Sequence, residues 1–160
     1  MGAKMTGDWA KALAVTKQLK KVADDSVKEG LTKAALFAEK TAKKHLSKQD
    51  LSWTPLESKY RRYKERKGYS TNILVRTGAM FQSITSNVDA KTAFVGVKRE
   101  AKDSDGNSLA NIAAVHEFGS TKQGIPARPL WQPTLIETAT WYRNGNSIED
   151  IFMSKIKRYL

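Results

Sequence analysis

The chain contains no cysteine among its 160 residues. This absence excludes a disulfide framework, a thiolate nucleophile and a zinc site built on thiolates. Long hydrophobic runs are also missing, since no stretch approaches the roughly 20 apolar residues that a membrane-spanning helix needs. The N-terminal residues lack the apolar segment of a secretory signal. We therefore expect synthesis in the cytoplasm and no membrane partner.

Histidine is scarce, with only His45 and His116 present, and neither has the spacing to acidic residues that metal ligands show. His116 is followed by glutamate, as in zinc proteases, but the place of their second histidine is taken by Ser120. The segment Asp103–Asn107 carries oxygens at alternate positions, yet its glycine comes fourth and no glutamate stands twelfth, unlike a calcium loop. With no phosphate-binding glycine loop or nucleophile elbow, the sequence predicts no metal, no cofactor and no enzyme.

Acidic residues are the minority, because 28 lysines and arginines face 16 aspartates and glutamates, a net charge of +12. Residues 1–67 carry 17 of the basic and 8 of the acidic residues. Such a basic half predicts a polyanion or an acidic protein surface as a neighbour, although a solvated lysine-rich helix face explains the lysines equally well. The basic surface candidates are Lys17, Lys20, Lys21, Lys40, Lys43, Lys44, Arg61, Arg62 and Arg66.

The three candidate arginines are interleaved with Tyr60 and Tyr63. This segment therefore offers both cations for phosphates and aromatic rings on which bases can stack. No recognised nucleic-acid-binding motif accompanies it. We expect DNA affinity that is non-specific and salt-sensitive at most.

Residues 8–48 read as helix, because apolar residues recur at three- and four-residue steps with lysines on the other faces. Thr6 or Asp8 is suited to cap its start. The acidic pair at residues 24 and 25 and the lone Gly30 favour either a kink or two helices that meet between residues 22 and 31. The basic segment that follows predicts a short helix with Pro55 at its first position, closed by Gly68.

The second half of the chain combines a hairpin with helices. Residues 84–88 and 92–98 predict two strands joined by a turn at Asp89–Lys91. Residues 109–118 are ambiguous between a strand and a short helix. Pro129 then starts a helix with Trp131, Leu135, Ala139 and Tyr142 on one face, and Ser147 caps a last helix.

We therefore predict an α+β fold with a long N-terminal helix, a small antiparallel β-sheet and two C-terminal helices. A chain of this length fits a single domain over residues 1–160. Within it we distinguish a basic helical N-terminal arm (1–48), an α+β core with loops (49–130) and C-terminal helices (131–160).

Four short motifs follow one another in the rest of the chain. They are Trp53-Thr54-Pro55-Leu56, the segment Leu74–Ile84 with Thr77-Gly78 and Ser83-Ile84, the segment Ala113–Thr121 with His116-Glu117-Phe118-Gly119, and the segment Ile125–Leu130 with Pro126, Arg128 and Pro129. In this order and spacing the chain resembles the tail-completion proteins of tailed bacteriophages, also called virion morphogenesis or minor tail proteins, which act where head and tail join.

Several of these residues also have physical interpretations of their own. Gly78 permits a tight turn and a close backbone approach. Phe118 anchors an aromatic ring while the glycine after it lets the chain reverse. The two prolines stiffen the loop around Arg128, which we expect to bind a carboxylate of its own chain or of an adjacent one. His116 fits a packed or interfacial imidazole better than a catalyst.

The resemblance implies a structural protein that forms a homo-oligomeric ring, commonly hexameric, at the top of the tail. Such a ring couples the tail to the connector of a DNA-filled head. Its neighbours would be connector or stopper, tail-terminator or tail-tube proteins, with genomic DNA passing through the lumen. The protein would be assembled in the host bacterial cytoplasm and end in the neck of the virion. The alternatives are a tail-terminator ring and a basic, non-specific DNA-binding protein.

Overall fold

A computed structural model describes residues 7–157, and its largest element is one helix of 40 residues, α1 (Trp9–Lys48). Asp8 caps α1, as predicted, by accepting a hydrogen bond from the backbone N–H of Lys11 at 3.1 Å. The other predicted cap, Thr6, lies outside the described residues. The alternative of two helices meeting between residues 22 and 31 is wrong, because α1 continues through this region. All side chains of residues 7–21 are exposed, so the first turns of α1 stand clear of the body.

The glycine that favoured a break in α1 has a packing role instead. Gly30 is buried where the last helix, α6 (Ile148–Ile156), crosses α1. A Cβ atom at residue 30 would lie 2.6 Å from Cγ1 of Ile148, so glycine is what allows this close approach. The start of α6 is the predicted Ser147, which forms a reciprocal capping box with Asp150.

The sheet is a two-stranded antiparallel hairpin, as predicted, of β1 (Ile84–Val88) and β2 (Ala93–Val97). A short helix, α3 (Ala79–Ser83), leads directly into β1. The hairpin packs on α1, where the Ser86 hydroxyl donates to the Glu39 carboxylate at 2.7 Å. The main core lies beneath it and contains Ala42, Leu46, Trp53, Met80, Ile84, Leu109 and Leu130.

The basic segment forms a helix, α2 (Ser58–Arg66), that starts later than predicted. The prediction that Pro55 occupies its first position is wrong, because α2 begins at Ser58 and the Pro55 carbonyl accepts a hydrogen bond from Arg128. The buried side chain of Lys64 anchors α2 to the loop that follows it. Its ammonium donates to the backbone carbonyls of Asn72 and Val75 at 2.8 and 2.7 Å. Burial lowers the pKa of Lys64, and these two carbonyls compensate its charge.

The segment that was ambiguous in the sequence is a helix, α4 (Leu109–Phe118), capped by Ser108. It is followed by α5 (Trp131–Arg143), in which Trp141 stacks on Phe37 of α1 with ring centroids 4.6 Å apart. The long N-terminal helix, the antiparallel hairpin and the two C-terminal helices make the α+β fold that the sequence predicts. Among the described residues no helix is both long and apolar enough to cross a membrane.

An ion-pair cluster ties α6 to α1 and gives a pH dependence that can be tested. The Glu29 carboxylate lies 2.7 Å from the Lys33 ammonium and 2.9 Å from that of Lys155, and these contacts lower its pKa from 4.5 to about 2. Since the folded-state pKa is depressed, this stabilisation is present above pH 4.5 and disappears as the pH falls through about 2.

We therefore expect Glu29→Gln to lose less stability than the wild type over that acidic interval, as measured by the urea midpoint at each pH. The difference is modest because Glu29 is partly exposed and its pairs are screened by solvent. Other carboxylates titrate in both proteins and cancel in the comparison. Parallel curves for the two proteins would contradict the assignment.

Candidate assembly site

Two of the four motifs meet through the side chains of a tryptophan and an arginine. The buried indole of Trp53 donates to the backbone carbonyl of Pro129 at 2.8 Å. Arg128, which is 7% exposed, donates from Nε to the Thr54 carbonyl at 2.9 Å and from Nη2 to the Pro55 carbonyl at 3.3 Å. The prediction that Arg128 binds a carboxylate of its own chain is therefore wrong, because its guanidinium bridges two backbone carbonyls.

Glu117 connects the third motif to the fourth as a helix cap supplied from a distance. Its carboxylate accepts hydrogen bonds from the backbone N–H groups of Leu130, Trp131 and Gln132 at 2.7, 3.0 and 3.2 Å. These are the free N–H groups at the start of α5, where a negative charge also complements the helix dipole. The residue at the N-cap position, Leu130, provides no side-chain hydrogen bond to these groups. That missing local cap is the signal in the sequence that points to a carboxylate elsewhere.

Gly119 lets the chain reverse between the third and fourth motifs. Its φ of +77° is unfavourable for a side chain, and a Cβ atom there would lie 2.9 Å from the Ala127 nitrogen and 3.0 Å from the Ile125 carbonyl oxygen. Just beyond it, Ser120 and Ile125 exchange two backbone hydrogen bonds of 2.8 and 2.9 Å. The predicted reversal after Phe118 is thus confirmed, and the loop between residues 120 and 125 is closed at its base.

The second motif reaches the others around a small cavity. The cavity measures about 10 Å³ and is lined mainly by Leu74, Met80, Ile84, His116, Arg128 and Leu130. This volume holds no more than about one water molecule. Thr77 and Gly78 shape the turn before α3, with Gly78 at φ +86°, as predicted, and Ser83 donates its hydroxyl to the Met80 carbonyl at 2.8 Å. We call the set of Trp53–Pro55, Leu74–Ile84, His116–Gly119 and Ile125–Trp131 the motif cluster.

His116 is half-buried within the motif cluster. Burial lowers its pKa, and the positive charge of Arg128 lowers it further, so the imidazole is neutral at neutral pH. Within the described residues its Nδ1 atom has no hydrogen-bond partner, while its backbone carbonyl accepts from the Arg128 N–H at 2.6 Å. The imidazole of His116 is thus packed against the wall of the small cavity.

The other histidine, His45, is almost completely buried in α1 and lies between two carboxylates. Its Nδ1 atom is 2.6 Å from Asp50 and its Nε2 atom is 3.1 Å from Glu137 of α5. The hydrogen bond from His45 lowers the pKa of Asp50. The Nε2 atom lies within hydrogen-bonding distance of Glu137, but no hydrogen bond forms between them. His45 thereby ties α1 to the loop before Trp53 and to α5.

Helix α5 buries a threonine and exposes two large apolar side chains. It buries Thr134, whose hydroxyl donates to the Leu130 carbonyl at 2.7 Å, and half-buries Thr138, which donates to the Thr134 carbonyl at 2.7 Å. Leu135 and Ile136 are instead 69% and 60% exposed. The predicted apolar face of α5 therefore runs from the half-buried Trp131 to the exposed Leu135. We call Gln132, Leu135, Ile136 and Ala139 the outer face of α5.

Two further surface features adjoin the motif cluster. Phe118, the last residue of α4, is 81% exposed. An open groove of about 330 Å³ runs between the chain at residues 51–54 and the beginning of α5. Its walls include Leu51, Trp53, Ala127, Pro129, Pro133 and Ile136. The motif cluster thus supports an exposed aromatic residue and an apolar groove.

The basic candidates fall into three groups rather than one surface. Lys17, Lys20 and Lys21 lie on the exposed first turns of α1. Lys43 pairs with Glu39 at 2.7 Å, Lys44 lies 4.0 Å from Glu137, and Lys40 is exposed nearby on α1. On α2, Arg61 pairs with Glu65 at 3.3 Å, whereas Arg62 and Arg66 form no ion pair within the described residues. Tyr60 and Tyr63 stack beside these arginines with centroids 6.0 Å apart.

The chain is similar to an archaeal protein over about half of its length. No family model and no solved structure matches the chain. The chain is 39% identical over 88 residues to an uncharacterized protein, MJ0331, of Methanocaldococcus jannaschii, a match that covers 55% of this chain. The match spans 60% of the length of that archaeal protein, whose name assigns it no activity.

Proposed function

We propose that the protein is a structural component of a viral neck, a ring-forming tail-completion protein that joins the tail to the head connector and lets DNA pass. The observation that carries this proposal is the convergence of the four motifs. Arg128 reaches carbonyls 74 and 73 residues away, and Trp53 reaches a carbonyl 76 residues away. The motifs that together resemble one family are therefore in contact with one another in the fold. Such contact is expected if they form one functional unit.

The chemistry of the motif cluster favours shape over catalysis. Its polar side chains are used internally, since Arg128, Glu117 and Trp53 all bond to backbone groups of the same chain. The cavity among them is water-sized, well below the roughly 300 Å³ of a small-molecule site. We propose that this network fixes the backbone beneath Phe118, the groove and the outer face of α5. The protein would then act through contacts between proteins rather than through a reaction.

The basic surfaces fit a protein that DNA passes without being held. Lys59, Arg62 and Arg66 recur at three- and four-residue steps on α2 and are exposed. Such a stripe attracts phosphates of any sequence, with an affinity that falls steeply as salt rises. The alternative of a dedicated DNA-binding protein rests on this same helix. A tail-terminator ring is the alternative within viral assembly.

Experiments on the purified protein distinguish the proposed ring from a dedicated DNA-binding protein. We expect light scattering and negative-stain electron microscopy to give a ring of defined stoichiometry, with weak DNA affinity that is lost at physiological salt. Neutralising the basic stripe through Arg62→Gln and Arg66→Gln would then weaken DNA binding and leave the ring intact. Tight DNA binding by a monomer or dimer, abolished by the same substitutions, would contradict the proposal and favour the DNA-binding alternative.

A further inference from the structure

The outer face of α5 carries two large apolar side chains that face solvent, although Trp131 and Trp141 pack inward. A surface helix normally turns its apolar stripe to the core and its polar residues to water. α5 buries the hydroxyls of Thr134 and Thr138 and exposes Leu135 and Ile136. The buried hydroxyls are satisfied by backbone carbonyls one turn earlier, so the arrangement is stable in one chain. The exposed leucine and isoleucine gain nothing unless another surface covers them.

Phe118 is exposed in the same way but from a fixed backbone. The Glu117 carboxylate caps α5 on one side of it, and the crowded turn at Gly119 fixes the other side. A phenylalanine side chain buries roughly 150–250 Å² when it is covered, and here most of that area faces solvent. Because the neighbouring backbone is held on both sides, the exposed ring extends from a fixed position in the fold. It is therefore a preorganised anchor for a contact with another molecule.

The distribution of charge on the protein indicates which kind of partner can bind to Phe118 and the outer face of α5. The chain has a net charge of +12, so two copies repel each other wherever lysines and arginines meet. Phe118 and the four residues of the outer face carry no charge. A nucleic acid would be recognised by the cationic stripe of α2 instead. A neutral, apolar partner surface suits this face, and the groove beside Trp53 on a second copy is such a surface.

We propose that Phe118 of one copy seats in the groove of the next copy, beside the outer face of α5. This inference rests on the proposed ring and names its subunit contact. The groove, at about 330 Å³, is open and walled by Leu51, Trp53, Pro129 and Pro133, a lining typical of a pocket for an aromatic side chain. The aromatic residue and the groove are different parts of the chain. A contact that joins them is heterologous and can repeat head to tail until a ring closes.

The absence of native cysteine makes cross-linking a direct test. We expect Phe118→Cys mixed with Ile136→Cys to form a disulfide-linked dimer under mild oxidation, whereas neither variant alone cross-links. A chain with both substitutions should give a ladder of products that ends at the ring. As a matched control, Phe94→Cys replaces Phe118→Cys, because Phe94 is also exposed, at 48%, but lies on β2. The control pair should remain uncross-linked.

Dissociation gives the second readout. We expect Leu135→Asp with Ile136→Asp to convert the ring to monomers that keep the helical circular dichroism of the wild type. Met153→Asp, on α6 and 47% exposed, should leave the ring intact. A wild-type ring without the Phe118–Ile136 cross-link, or a ring that survives the double substitution, would overturn this contact while leaving the proposed function standing. A wild-type protein that is monomeric at every soluble concentration would overturn both.

Discussion

Arg128→Leu is expected to destabilise the protein by about 3 kcal/mol, one of the two largest effects that the structure predicts. The guanidinium is buried and bridges the Thr54 and Pro55 carbonyls. A leucine of similar bulk would remove both hydrogen bonds of the buried guanidinium, and a hydrogen bond to a charged group contributes about 1.5–3 kcal/mol. The chain before α2 would lose these two links to the loop before α5, while the hydrogen bond from Trp53 to the Pro129 carbonyl would remain.

Urea unfolding measures this effect, with two further variants as controls. Arg128→Lys keeps the charge but lacks the planar fork that reaches two acceptors, so its stability should lie between those of Arg128→Leu and the wild type. Arg99→Leu removes an exposed arginine from the segment after β2 and should change the urea midpoint little. If Arg128→Leu were as stable as Arg99→Leu, the central role of Arg128 in the motif cluster would be wrong.

Gly119→Ala is expected to have the other large effect, a loss of about 2–4 kcal/mol. The backbone at residue 119 has φ +77° and ψ 174°, a region that residues with a side chain rarely occupy. The added methyl group would also press on backbone atoms of Ala127 and Ile125 at 2.9 and 3.0 Å, which have no freedom to move away. The paired backbone of Ser120 and Ile125 would be displaced as a result.

Gly124→Ala is the matched control for this substitution. Gly124 lies in the same loop and also has a positive φ, +64°, but a Cβ atom there meets nothing within 4 Å. The control therefore carries the conformational cost alone, about 1–2 kcal/mol. The difference between the two variants in thermal or urea unfolding isolates the steric cost at residue 119. Equal losses would mean that the close approach of the Ile125–Ala127 backbone does not constrain Gly119.

The parts of the fold that the sequence predicts correctly are those governed by neighbours in the chain. The hairpin follows from two β-branched segments around a short turn, and α6 follows from Ser147 with an acidic residue three positions later. Asp8 caps α1 for the same local reason. The segment at 109–118 shows the limit, because three-residue spacing of Ile112, Val115 and Phe118 fits a helix, yet Phe118 faces solvent.

The candidate site depends on partners that are distant in the sequence. Glu117 caps a helix that begins 14 residues later, and Arg128 binds carbonyls more than 70 residues away. The spacing of residues along the chain identifies neither partner, although the missing local cap of α5 indicates that some distant group must serve. The spacing of Trp131, Leu135, Ala139 and Tyr142 predicts a common helix face but not that Leu135, on this face, is exposed to solvent. Exposure of Leu135 depends on how α5 packs on distant parts of the chain, which local spacing does not specify.

Electron microscopy of lysates from a virus with an early stop codon in this gene tests the central claim most directly. The proposed function predicts packaged heads accumulating beside unattached tails of normal length. Overlong tails would instead identify a tail terminator. Intact, infectious virions would contradict a role in joining head to tail. They would instead favour the DNA-binding alternative, which rests on the basic surfaces of α1 and α2.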